Sequence, residues 1–152
     1  GVGGGWVVDR AALNAALSLG LEVGGWCPRG RRAEDGVIAA RFPLVETPSR
    51  SYGQRTEWNV RDSDATLILH GGTISGGTRL TAELAGRYCR PLMTLNLADP
   101  ADLEDPHRWL RAHRIRVLNL AGPRESGAPG IQAQATAFLI RLLSSIPASE
   151  RS

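Results

Sequence analysis

Leu67-Ile68-Leu69-His70-Gly71-Gly72-Thr73-Ile74-Ser75-Gly76-Gly77-Thr78-Arg79-Leu80-Thr81-Ala82-Glu83-Leu84 reads as strand, glycine-rich turn and helix. Thr66 to Leu69 is a short apolar run, of the kind that a parallel sheet buries on both faces. Gly71, Gly72, Gly76 and Gly77 then let the backbone turn sharply and leave its N–H groups uncovered. Thr78 to Tyr88 follows as a helix, with Leu80, Leu84 and Tyr88 on one face. A helix that opens just past such a turn aims free amides and the positive end of its dipole above the strand, which suits an anion. The alternative is a tight strand-to-helix connection that binds nothing. The turn is no P-loop, because no lysine follows the glycines. The chain has no lysine at all, so a Schiff-base lysine is excluded as well.

The chain has 152 residues and a net charge of +3, all its cations being arginine. That length suits one domain with a true core, here 1–146, followed by a frayed tail at 147–152. The charge is too small and too dispersed for nucleic acid and fits an anionic small molecule better. Guanidinium forks favour bidentate contact with phosphate or carboxylate. Cys27 and Cys89 lie far apart, no Cys/His group has zinc spacing, and no run approaches a membrane span. These features predict a cytoplasmic protein with reduced thiols, no membrane partner and no protein-held metal.

Working outward, Asp9 can cap a helix through Leu19 that stops at Gly20, leaving at most Trp6 to Val8 for a strand before it. Leu21 to Trp26 is a short strand. Cys27 to Gly36 is a polar loop carrying Arg29, Arg31 and Arg32, either a solvated loop or a clamp for an anion. Residues 41–51 are irregular, with Pro43 and Pro48. Ser49 or Ser51 can cap the helix Tyr52 to Asp62, whose exposed face carries Gln54, Arg55, Asn59 and Arg61. Pro91 to Leu97 is a further buried-type strand. Asp102 to His113 is an amphipathic helix with Leu103, Trp109 and Leu110 inward and with His107 and His113 on the surface. Ile115 to Leu120 is the last strand, and it runs into a second glycine-rich loop at 121–130. The helix Ile131 to Ser145 closes the domain, with Ala135, Phe138, Leu139 and Leu142 on its apolar face.

Strands alternating with helices predict an α/β fold: a mostly parallel sheet between two helical layers, with every strand's C-terminus on one edge. Loops 24–36, 70–78 and 121–130 then share that edge, where open α/β sheets bind ligands. The site this builds brings Arg29, Ser75 and Arg124 into one cationic, amide-lined pocket.

These segments, taken together and in order, resemble the family named "putative molybdenum carrier", the molybdenum-cofactor carrier proteins. The matching stretches are Asp9 to Leu13, Gly24 to Gly36, Gln54 to Thr66, Ser75 to Thr78 and Asn119 to Ser126. The resemblance implies a Rossmann-like three-layer α/β/α fold, more distantly related to the "Lonely guy" nucleotide phosphoribohydrolases. The family's first loop is Ser-Gly-Gly-Gln-Thr-Gly-Val-Asp-Arg-like; here Gly3 to Arg10 lacks the Gln-Thr pair, and the strand before it is short or missing.

What the resemblance implies is a carrier for the molybdenum cofactor (molybdopterin), an anionic pterin with a terminal phosphate that brings its own sulfurs to the metal. A phosphate suits the helix start at Ser75 to Thr78, and an oxyanion suits Arg29, Arg31, Arg32 or Arg124. The candidate binding residues are Asp9, Arg10, Arg29, Gly30, Arg31, Arg55, Asn59, Gly72, Thr73, Ser75, Gly76, Gly77, Thr78, Gly122, Arg124, Glu125 and Ser126. A nucleoside-monophosphate binder or N-glycosidic hydrolase is the alternative, with Glu83 as a weak catalytic candidate on a helix face that also reads as simply solvated. A third reading is a degenerate module that forms homo-oligomers, dimer or tetramer, through a strand edge left open. Replacing Arg124 with Ala is expected to weaken anion binding by roughly 1.5–3 kcal/mol if its guanidinium pairs with the ligand. Unchanged affinity in an anion titration removes Arg124 from the site.

Overall fold

The computed structural model describes residues 2–4, 26–27, 32–33, 36–37, 45–49, 52–72, 76–99, 103–122 and 129–144. In chain order the elements are β1 (Val2–Gly4), β2 (Trp26–Cys27), β3 (Arg32–Ala33), β4 (Gly36–Val37), β5 (Val45–Glu46), α1 (Tyr52–Arg61) and β6 (Ala65–His70). They continue with α2 (Gly76–Arg87), β7 (Leu92–Asn96), α3 (Glu104–Ala112), β8 (Leu118–Ala121) and α4 (Ile131–Ser144). The helix expected at 10–19 and the tail at 147–152 lie outside the described residues.

The apolar run after Asp64 forms the central strand. All six residues of β6 are buried, as a strand covered on both faces requires. β7 lies parallel on one side, from Thr66 opposite Leu92 to His70 opposite Asn96. β8 lies parallel on the other, from Ala65 opposite Leu118 to Ile68 opposite Ala121. β1 adds outside β8, also parallel, with Gly3 opposite Asn119. The order is therefore β1-β8-β6-β7. A short first strand stands at Val2–Gly4, since ladder pairing needs only backbone groups and the free side of β8 supplies them; Trp6 to Val8 lie outside the described residues.

Connectivity reverses at the centre of this sheet. The chain steps from β6 through α2 to β7 on one side, then passes back through α3 to β8 on the other. Counted from β6, the sheet reads second, first, third, with β1 in fourth place, which is the doubly wound order with its switch point between β6 and β8.

Alternation along β6 assigns its two faces. Ala65, Leu67 and Leu69 join Leu118 and Leu120 in a core with Ala135, Phe138, Leu139 and Leu142 of α4; Leu103, Trp109 and Leu110, from α3 and its entry, pack at its border. Thr66, Ile68 and His70 face the other way, the side of α1 and α2. There Val60, Leu84 and Ala85 form a smaller core bordered by Leu80 and Tyr88. The Tyr88 hydroxyl donates to Glu57 at 2.7 Å, tying α2 to α1; that bond holds the phenol proton and pushes Tyr88 above its ordinary value.

Several local readings change. Residues 41–51 contain β5, which pairs in parallel with β2, and the arginine-rich loop contains the antiparallel pair β3 and β4. β8 begins three residues later than expected. The helix before it ends with Arg114 at a φ of 51°, and Ile115 N–H reaches back to the Leu110 carbonyl at 3.1 Å, a Schellman-type stop that normally takes glycine. Arg116 and Val117 then give their N–H groups to the Asp64 carboxylate, each at 2.9 Å. His107 is not a free surface residue: its Nε2 lies 3.1 Å from the Leu142 carbonyl and links α3 to α4.

The two amides facing Asp64 hold its carboxyl below the usual aspartate value. Asp64→Ala is expected to cost about 1–3 kcal/mol by orphaning them. Because the folded pKa is depressed, this contribution is fully present above the ordinary value of about 3.9 and disappears as pH falls through the lower folded one. Urea unfolding of both proteins checks it: the gap should hold from pH 5 to 8 and narrow as pH falls below about 3.9.

Candidate functional site

The parallel ladders place the C-terminal ends of β6 and β8 side by side at the switch point. Gly71 and Gly72 leave β6 on this rim and are exposed, and Gly122 leaves β8 half-buried. Gly72 has a φ of +113°, a backbone open in practice to glycine alone. α2 begins at Gly76, with no acidic residue in its first turn to compete for an anion. Among the described residues, a Cβ placed on Gly76 or on Gly77 would meet nothing within 4 Å. Thr78, by contrast, is buried, as is Thr81, whose hydroxyl donates to the Gly77 carbonyl at 3.0 Å. The start of α2 therefore turns hydroxyls inward and glycine backbone outward.

Two polar side chains close the strand ends beside it. His70 is the last residue of β6, 9% exposed, and its Nδ1 accepts the Gly72 N–H at 3.0 Å. Asn96, opposite it in register at the end of β7, accepts the Ala98 N–H on Oδ1 at 3.0 Å. Neither was among the residues nominated from sequence, although the signal was present: a polar residue closes the apolar runs ATLILH and LMTLN.

The nominated residues divide into three groups. Gly72, Gly76, Gly77 and Gly122 stand at the rim, with Thr78 buried beneath it. Arg55 and Asn59 are one helical turn apart on α1, but on its buried side, not the exposed face expected: they are 8% and 3% exposed. The reason is that α1 packs against α2, β1 and β2, which covers that side of the helix. Asp9, Arg10, Arg29, Gly30, Arg31, Thr73, Ser75, Arg124, Glu125 and Ser126 lie outside the described residues. Glu83, the weak catalytic candidate, is exposed on α2, and among the described residues nothing bonds to it. Among the described residues no three His, Cys, Asp or Glu side chains group as a metal site, and no helix is long and apolar enough to cross a membrane.

Comparison with known proteins agrees with this geometry. Residues 2–143 match the model of the circularly permutated YpsA SLOG family. A crystal structure from Syntrophus aciditrophicus, named "Putative molybdenum carrier protein", superposes with a TM-score of 0.81 at 38% identity, over 93% of this chain and 89% of that one. No curated protein matches the chain.

Gly72 positions the rim through its backbone. In Gly72→Ala the new Cβ would lie 3.8 Å from Asn96 Nδ2, an ordinary contact, so the cost comes from φ and is expected to be about 1–3 kcal/mol. Denaturant unfolding measures it; a neutral substitution would show that the turn relaxes freely.

Proposed function

The chain belongs to the circularly permutated YpsA SLOG family, and from that premise we propose that it is a non-catalytic carrier of an anionic, phosphate-bearing pterin, the molybdenum cofactor. One observation carries the reading: an acid-free helix start with bare glycine backbone sits at the switch point of a doubly wound sheet. Such a terminus supplies amides and a positive dipole end to a phosphate. The residues that would hold that phosphate are Gly76 and Gly77 through their N–H groups, with Gly72 and Gly122 letting the ligand approach closely. The name of the crystal neighbour supports the choice of cargo. The arginines at 29, 31 and 124 supply the cationic side of the pocket in this reading. A homo-oligomeric carrier is part of the proposal.

The cargo is tested on protein purified gently from its own cells. Denaturation and oxidation should release a fluorescent pterin in near-stoichiometric amount, identified by mass spectrometry. Incubation with nucleoside monophosphates should release no free base. Base release that is lost in Glu83→Gln would replace the carrier reading with the hydrolase one.

A further inference from the structure

We propose that His70 and Asn96 form a neutral donor pair that grips an oxyanion of the ligand, a phosphate ester or a molybdate group, at the ends of β6 and β7. The inference rests on reading the rim as the binding edge and adds the residues that recognise the charged group.

His70 and Asn96 are directly paired across the ladder, so their Cα atoms are about 5 Å apart and their side chains leave the same face of the sheet. Each uses its acceptor atom on a nearby backbone amide: His70 Nδ1 on Gly72 N–H, and Asn96 Oδ1 on Ala98 N–H, both at 3.0 Å. Those bonds decide what remains. A ring nitrogen that accepts carries no proton, so the imidazole proton sits on Nε2. The amide atom that accepts is the oxygen, so the other is the NH2 group. What remains is one N–H on His70 and two on Asn96, all donors.

Among the described residues no hydrogen bond engages either remaining nitrogen. His70 is nine-tenths buried, and its bond to the Gly72 N–H fixes the ring; Asn96 is half-buried. Asn96 Nδ2 reaches over Gly72, 3.8 Å from where a Cβ would stand. The pair thus flanks the same glycine turn from which α2 starts.

Such a site selects by chemistry. Its groups give hydrogen bonds and take none, so the guest must be an acceptor at every contact, as an oxyanion is. A metal cation is disfavoured, because a lone pair on His70 Nε2 requires the proton on Nδ1, where it would oppose the Gly72 N–H. Asn96 has the same property: rotating its amide would set NH2 against the Ala98 N–H.

The test is calorimetric titration of the purified protein with inorganic phosphate and, separately, with molybdate, followed by the released pterin. His70→Phe keeps a planar ring without the donor, and Asn96→Asp keeps the acceptor for Ala98 but replaces NH2 by a like charge. For bonds to an anion, each variant should weaken binding roughly 10- to 150-fold, Asn96→Asp more than Asn96→Ala. Phosphate sensitivity with molybdate indifference assigns the pair to the phosphate end, and the reverse assigns it to the metal oxyanion. With 15N-labelled histidine, the Nε2 signal of His70 should move on addition of the bound anion while Nδ1 stays. Unchanged affinity in folded His70→Phe and Asn96→Asp, or a wild type that binds neither anion, overturns the donor pair. Oxyanion binding that depends on both residues, in a protein that carries no pterin, keeps the pair and rejects the cargo proposed above.

Discussion

The parallel pairing of β6 on both of its edges is the constraint from which the other features follow. A strand with neighbours on each side and helices on each face has no polar surface of its own, so all of its residues are buried. Its polar groups can collect only where it ends. Because every neighbour runs the same way, those ends share one edge, and glycines, amides and His70 gather there. The register is tightly specified. A shift of one residue would trade Leu67 and Leu69 for Ile68 and His70 in the core under α4, and an imidazole would replace a leucine against Leu139.

The two faces of the sheet divide the work. Under α3 and α4 the contacts are aliphatic and aromatic, and truncating a fully buried side chain such as Leu139 or Leu142 belongs to the class that costs 2–5 kcal/mol. Under α1 and α2 the buried set is largely polar: Thr66, His70, Asn119, Asn59, Thr78 and Thr81. Asn119 donates to Thr66 at 3.2 Å and leaves its Oδ1 without a partner. A polar interlayer specifies geometry more than it stabilises, since each group must be matched to another. The polar face thus positions the glycine turn above it, while the opposite face supplies the folding energy.

Periodicity made the long elements legible. α2, α4 and β6 fall within two residues of where the spacing of Leu80 and Leu84, of Ala135, Phe138 and Leu139, and of the run ATLIL places them. The turn chemistry of Gly71 to Gly77 pointed to the rim as well. What was illegible depends on partners distant in sequence. Val45 and Glu46 carry no strand signal between two prolines, and only β2 makes them a strand. Arg116 and Val117 look like strand residues, yet their amides go to Asp64, 52 and 53 positions earlier. Arg55 and Asn59 read as a wetted face because residue type gives no hint of what covers α1. His107 reads as exposed because the carbonyl it meets belongs to α4.

Strand order is a further property that local patterns do not encode, and here it decides which elements can be moved without harm. α4 lies on the same face as α3, in the core it shares with Leu118 and Leu120. A right-handed crossover continuing outward from β8 would require that face, and the strand found next to β8 on that side is β1, taken from the other end of the sequence. β8, α4 and β1 therefore stand where a right-handed crossover would place them, although β1 comes first in the sequence. The described part of the candidate rim is made by β6, Gly71 and Gly72, the start of α2, and the ends of β7 and β8, all within one uninterrupted run of α/β units. A switch point depends on which strands are neighbours and which way they run, and not on which of them comes first in the sequence.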